Sequence, residues 1–174
     1  MPRLRKGIAY RRIERPYTRI SKYREKSYIR ANPQTKIIRF HMGEARKKFP
    51  FVVKLISKSE LQIRDNALES ARQAGNRLLE TGIGLTNYHM KIMPYPFHVL
   101  RENPLAQGAG ADRFSTGMQK AFGKPIGRAA RIKKGQTLIE VDIDKANVEL
   151  AKKALNVAKT KLPCSCTIQI FENK

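Results

Sequence analysis

TLIEVDIDKANVELAKKALNVAKTKLPCSCTIQIF, Thr137 to Phe171, reads as strand, helix, strand, and its reading decides the fold class. In TLIEVDI, Ile139, Val141 and Ile143 alternate with Leu138, Glu140 and Asp142, the two-residue period of a half-buried strand with the first set facing in. Asp144 then stands as an N-cap before Val148, Ala151, Leu155 and Ala158, whose spacing lines one face of a helix. Pro163 stops that helix, and TIQIF resumes the alternation. The same unit occurs upstream. KIIRF, Lys36 to Phe40, and FVVKLIS, Phe51 to Ser57, carry strand signals on either side of the basic turn Gly43 to Lys48, with Phe51, Val53 and Leu55 sharing a face. A helix follows from Asp65 or Asn66, with Glu69 placed as in a capping box, an inner stripe of Ala67, Ala71, Ala74 and Leu78, and Gly82 as its C-terminal stop. Tyr88, Met90 and Ile92 alternate as a further half-buried strand, and FHVL, Phe97 to Leu100, is another. Strands, helix, strands, helix, strand predict an α+β fold, a two-layer sandwich of mixed or antiparallel sheet with two main helices, spanning 35–174 as one globular domain.

Residues 1–34 are of a different kind. Met1 to Asn32 has no sustained apolar period, many Arg and Lys, and tyrosines at 10, 17, 23 and 28. Such a segment cannot bury enough apolar surface to offset its chain entropy, so by itself it is expected to be extended or disordered. The whole chain carries 36 Lys and Arg against 14 Asp and Glu, a net charge of +22. That surplus is concentrated in two blocks: residues 1–50 hold 16 basic and 3 acidic groups, and residues 101–134 hold 8 and 2. Self-repulsion on this scale works against a compact free state and points to a polyanionic partner. Nucleic acid fits best, since bound phosphates reward each cation through counterion release. Tyrosines interleaved with arginines suit unpaired RNA bases and phosphates better than a membrane, where longer aliphatic side chains are expected. No run approaches the roughly 18 apolar residues of a membrane span, and the N-terminus lacks a signal-peptide core, so a cytosolic protein without a membrane partner is expected.

The longest stretch without a period is PYPFHVLRENPLAQGAGADRFSTGMQKAFGKPIGR, Pro94 to Arg128. After Leu100 it runs on for about two dozen residues, longer than the roughly 12–15 of an ordinary loop, and mixes glycines with cations. The composition describes a flexible finger able to reach into a polyanion. GMQKAFGKP, Gly117 to Pro125, imitates a phosphate-binding loop but has five residues between its glycines where four are needed, and Pro125 where a hydroxyl should bind magnesium. GAGADR, Gly108 to Arg113, lacks the third glycine of a dinucleotide fingerprint. Glu140, Asp142 and Asp144 read as a solvated strand face, and no serine stands in a nucleophile elbow, so no enzyme is predicted. Cys164 and Cys166 offer two ligands where zinc needs four, which makes them reduced thiols rather than a metal site, and His41, His89 and His98 read as scattered and unpaired. No cofactor is called for.

PFHVLRENPLAQGAGADRFSTGMQKAFGKPIGRAARIKKGQTLIEV, with its GADR, TGM and FGKP pieces, resembles the archaeal and eukaryotic L-ten-e family of large-subunit ribosomal proteins, related to bacterial L-sixteen. RPYTR (Arg15 to Arg19) and ALESARQAGNRLL (Ala67 to Leu79) agree in order and spacing, so the likeness covers nearly the whole chain. The resemblance implies an α/β-hammerhead type of fold and a seat on large-subunit ribosomal RNA near the five-S RNA and the cleft that receives transfer RNA, among neighbouring ribosomal proteins. It also implies a loop, here about Glu102 to Met118, pointing toward the peptidyl-transferase region, and roles in aminoacyl-transfer-RNA accommodation and late subunit assembly. In that setting Arg3, Arg5, Lys6, Arg11, Arg12, Arg15, Arg19, Lys22 and Arg24 are expected on phosphates, with Tyr10, Tyr17 and Tyr23 on bases or sugars. Lys120, Lys124, Arg128, Arg131, Lys133 and Lys134 are expected at the base of the finger, and Arg101, Gly108, Ala109, Gly110, Ala111, Asp112 and Arg113 on its transfer-RNA-facing part.

Overall fold

The structure, a computed structural model, describes residues 5–103 and 123–173. Among the described residues eight strands and two helices follow one another: β1 His41–Gly43, β2 Phe51–Ser57, β3 Leu61–Arg64, α1 Asp65–Ile83, β4 Tyr88–Ile92, β5 His98–Glu102, β6 Lys124–Ile132, β7 Thr137–Ile143, α2 Val148–Lys159 and β8 Cys166–Glu172. They form a five-stranded sheet in the order β1-β4-β7-β2-β8 and a three-stranded sheet in the order β3-β6-β5. Every pairing among the described residues is antiparallel, in place of the mixed alternative. The predicted α+β class with two main helices holds.

Small residues bring the helices together. A Cβ added at Gly75 of α1 would lie 3.5 Å from the Ala158 Cβ and 3.7 Å from the Ala154 carbonyl of α2, and 3.3 Å from the Met90 Cε of β4. Ala71 of α1 and Ala151, Ala154, Leu155 and Ala158 of α2 are buried; Ala151, Leu155 and Ala158 are as the stripe of α2 predicts, whereas Val148 is half-buried and Ala154 joins the buried face. In α1 the buried line is Leu68, Ala71, Gly75 and Leu79, so the face is rotated from the predicted stripe toward Leu68 and the glycine. Alanine spacing had obscured it, because a glycine at a close crossing carries no hydropathy signal.

Other expectations shift for local reasons. KIIRF is not a strand: Ile37 is buried but Ile38 is 81% exposed, and the Lys36 N–H goes to the Asp65 carboxylate at 2.9 Å instead of to a neighbouring strand. Pairing begins only when the Phe40 carbonyl accepts the Ile92 N–H at 2.9 Å. The Asn66–Glu69 capping box does not form, since Asp65 Oδ1 takes the Asn66 N–H and Glu69 is held by Arg72 and Gln73. Helix α1 stops at Gly84, not Gly82: Gly84 has φ 76° and donates its N–H to the Glu80 carbonyl, whereas Gly82 is a close contact with Leu150 of α2. Asp144 does not cap through its side chain; the chain enters α2 through a 3-10 turn at Lys145–Asn147, and the Asp144 carboxylate faces Lys47 at 3.6 Å. Leu138, expected outside, is fully buried. The β2–β7 register passes from Leu55↔Ile139 to Ile56↔Thr137, so Leu138 is the extra residue of a bulge, and a bulge lets adjacent side chains face one way. Strand β3 carries no sequence signal of its own, and β6 starts at Lys124, inside the stretch predicted as loop.

Candidate nucleic-acid interface

A three-stranded sheet leaves two edge strands with unpaired backbone groups, and here the N-terminal segment covers both. At β3 the Gln62 N–H donates to the Arg11 carbonyl at 2.9 Å, and the Gln62 side-chain amide donates to the carbonyls of Tyr10 (3.2 Å) and Arg12 (2.7 Å). At β5 the Val99 N–H donates to the Tyr17 carbonyl at 3.0 Å, and the Tyr17 N–H donates to His98 Nδ1 at 2.9 Å. The edges are about 10 Å apart across β6, and six residues of extended chain reach about 20 Å, so Arg11 to Tyr17 can cross the sheet. Gln62 and His98 are both 2% exposed. Polar groups that deep belong there because they hold the segment down. The segment, with 3-10 turns at Gly7–Tyr10 and Arg24–Lys26, is docked through backbone bonds that no side-chain periodicity announces.

The docking side of His98 dictates its protonation. Nδ1 must keep a lone pair for the Tyr17 amide, and burial, with Arg131 and Arg101 nearby, pushes the imidazole down to about 4. Its Nε2 lies 4.0 Å from the Glu14 carboxylate. Farther forward, Arg5 Nε donates to Glu102 Oε1 at 2.7 Å, which holds the guanidinium above its ordinary value, and Arg64 Nη1 donates to the Arg5 carbonyl. Beyond the crossing the segment folds back on itself, with the N–H groups of Tyr28 and Ile29 both directed to the Arg19 carbonyl and Ile29 buried. An open groove of about 470 Å³ follows, lined by Ile20, Lys22, Arg24, Ser27, Arg30 and Asn32 among others.

This anchoring leaves the cations outward. Lys6, Arg11, Arg12, Arg15, Arg19, Lys22 and Arg24 are exposed and form no ion pair among the described residues. The tyrosines divide. Tyr17 is sandwiched under the Arg101 guanidinium at 3.7 Å, and Tyr10 lies below Arg64 at 5.3 Å, so each has an internal partner. Tyr23 and Tyr28 present most of their rings, 56% and 65% exposed, with Lys22 and Lys26 beside the first and Arg19 over the second. Tyr28 was absent from the predicted set although its sequence signal equals that of the others. On β6, Lys124 sits at the loop end opposite Glu102, Arg128 bonds the Asn32 side chain, and Arg131 is exposed. Lys133 and Lys134 occupy the turn at the far end of that strand, about 30 Å from Lys124 at strand spacing. Arg3, Gly108, Ala109, Gly110, Ala111, Asp112, Arg113 and Lys120 lie outside the described residues, as does most of the loop 102–118.

The histidines are less scattered than their sequence positions imply. Pairing of β1 with β4 sets His41 Nδ1 3.1 Å from His89 Nε2, and His89 Nδ1 lies 2.9 Å from Asp142 of β7. Cross-strand neighbours cannot be read without the register. No group of three or more metal-ligating side chains occurs among the described residues.

Comparison with known proteins gives a consistent result. The family model described as ribosomal protein L16p/L10e matches residues 15–169. A protein of Methanococcus maripaludis named large ribosomal subunit protein uL16 is 44% identical over 171 residues, covering 98% of this chain and 96% of the relative. Proteins of the same name from Methanococcus aeolicus, 46% identical over 96% of this chain and 94% of the relative, and from Archaeoglobus fulgidus, 44% identical over 92% and 89%, are similar along the same length.

Proposed function

The chain belongs to the ribosomal protein L16p/L10e family, and on that footing we propose that it is a structural, non-enzymatic component of the large ribosomal subunit whose docked N-terminal segment grips ribosomal RNA. The observation that carries the reading is the arrangement on the three-stranded sheet. Backbone bonds at both edges fix the segment's path, and the guanidinium and ammonium groups are thereby left for an external partner. Phosphate contacts of this kind position a protein without reading sequence, so recognition rests on RNA shape. Tyr23 and Tyr28 supply exposed rings for unpaired bases, while Tyr10 and Tyr17 act chiefly by stiffening the segment under Arg64 and Arg101.

The finer placement follows from the family likeness. In this reading the body, of α/β-hammerhead type, sits near the five-S RNA and the cleft that receives transfer RNA, in the cytoplasmic ribosome, with neighbouring ribosomal proteins around it. The loop 102–118, with Gly108 to Arg113 at its centre, points toward the peptidyl-transferase region and supports aminoacyl-transfer-RNA accommodation and late subunit assembly. Lys124, Arg128 and Arg131 steady its base, and Lys133 and Lys134 make a separate contact. Sedimentation of dissociated subunits tests the core of this proposal: the polypeptide is expected to travel with the large subunit and to survive mild washing. Appearance only at the top of the gradient would overturn it.

A further inference from the structure

Strand β8 opens on a pair of thiols that the RNA-binding reading leaves unused. Cys164 Sγ and Cys166 Sγ are 3.4 Å apart, and Cys166 Sγ is also 3.7 Å from the Cys164 carbonyl, because the chain bends at Cys164 before the strand begins. The two differ in surroundings. Cys166 is 4% exposed, whereas Cys164 is half-buried and open to solvent on one side. Beside Cys164 lies the buried hydroxyl of Ser57, which also bonds the Ser59 carbonyl at 2.8 Å, and the Arg11 guanidinium adds positive potential from the docked N-terminal segment.

From this contact and its asymmetry we propose that Cys164 and Cys166 form a hydroperoxide-oxidisable dithiol, with Cys164 the attacking sulfur and Cys166 the resolving one. The Sγ–Sγ contact, with Ser57 and Arg11 beside it, brings the Cys164 thiol down to about 7, while the same contact and burial push Cys166 up. At neutral pH a sizeable fraction of Cys164 is therefore thiolate, the form that reacts. The thiolate attacks the outer oxygen of a hydroperoxide, the O–O bond breaks, and the alkoxide or hydroxide leaves and takes a proton from water. Cys164 is then a sulfenic acid. Cys166 sulfur attacks it, the hydroxyl departs as water with the Cys166 proton, and an intrachain disulfide forms. Overall, two thiols and one hydroperoxide give one disulfide, one alcohol or water, and one water. Bringing 3.4 Å to bonding distance needs a movement of about 1.4 Å, and the bend ahead of β8 is where the backbone can supply it.

Intact-mass analysis of the purified full-length chain treated with hydrogen peroxide tests this. The expected product has lost two hydrogens, is monomeric, and returns to the starting mass with dithiothreitol. A Cys166→Ser variant is expected to stop at a dimedone-trappable sulfenic acid on Cys164, and a Cys164→Ser variant to react at least tenfold more slowly. Should either variant fail to fold, the wild-type chain still decides the matter through the pH dependence of iodoacetamide labelling, which should show its midpoint near 7 at Cys164. Over-oxidation of Cys164 without a disulfide, disulfide-linked dimers as the main product, or labelling with an unshifted midpoint above 8 would overturn the proposal. None of these outcomes depends on RNA binding.

Discussion

Replacing Gln62 by alanine tests the docking of the N-terminal segment at its deepest point. Its side-chain amide donates to the Tyr10 and Arg12 carbonyls at 3.2 and 2.7 Å from a site 2% exposed. Two such bonds contribute about 0.5–1.5 kcal/mol each. The Gln62 Oε1 atom has no partner among the described residues, so the substitution also removes a buried orphan acceptor and moves the net loss toward the lower half of that range. About 2 kcal/mol is thus a fair upper figure, equal to a rise of about 30-fold in the population with the segment lifted, at 1.4 kcal/mol per factor of ten. The Val99 amide is the natural reporter, because it donates to the Tyr17 carbonyl and is freed when the segment leaves β5. Hydrogen exchange at Val99 should quicken by about 10- to 30-fold, and trypsin should cut more readily at Arg11 and Arg12. Amides of Val53 and Leu55, buried in the other sheet, should keep their protection. An unchanged rate at Val99 would refute the clamp; equal acceleration everywhere would show that Gln62 serves the whole fold instead.

Other outcomes follow from single groups. His98 is neutral in the folded chain and held down to about 4, below its ordinary 6.5, so the unfolded chain takes up a proton first as pH falls. Its stability contribution is intact above about 6.5 and is lost between there and about 4, up to about 3 kcal/mol at 1.36 per unit; urea titrations across that window should show the slope, and a His98→Asn variant should flatten it. Asp65→Ala removes the acceptor of both the Lys36 and the Asn66 amides, each at 2.9 Å, and should lower the melting temperature by about 4–8 °C for a loss near 2 kcal/mol. An unchanged melting curve would show that water replaces the carboxylate at no cost.

Strand β2, the alternation in Tyr88–Ile92 and the buried stripe of α2 were legible in the sequence because each has one face in the core, so hydropathy records the period. Strand β3 was not: four residues, LQIR, are too short for a period, and the buried Gln62 answers to partners 50 and 52 residues upstream. The β6 start at Lys124 was hidden by Pro125 and Gly127, residues tolerated there because the pairing with β5 shifts between Leu100 and Arg101. Leu138 looked outward only on the assumption of a regular ladder, which the bulge breaks. For the candidate interface, charge and aromatic content pointed to the N-terminal segment and to a polyanionic partner. They could not tell a tyrosine with an exposed ring, such as Tyr23, from one already covered by an arginine, such as Tyr17. The His41–His89–Asp142 contacts likewise depend on strand register, which residues forty-eight and fifty-three apart do not declare.

The central claim is that cations held outward by the docked segment are neutralised by folded ribosomal RNA. Affinity of the full chain for large-subunit ribosomal RNA, measured at several monovalent salt concentrations, tests it most directly. If Arg11, Arg12, Arg15, Arg19, Lys22 and Arg24 each meet a phosphate, log affinity against log salt should fall with a slope of at least about −4 to −5, and replacing Arg12, Arg15, Arg19 and Arg24 by alanine should shallow it by about 3. A slope near zero, or a slope untouched by the fourfold substitution, would contradict it.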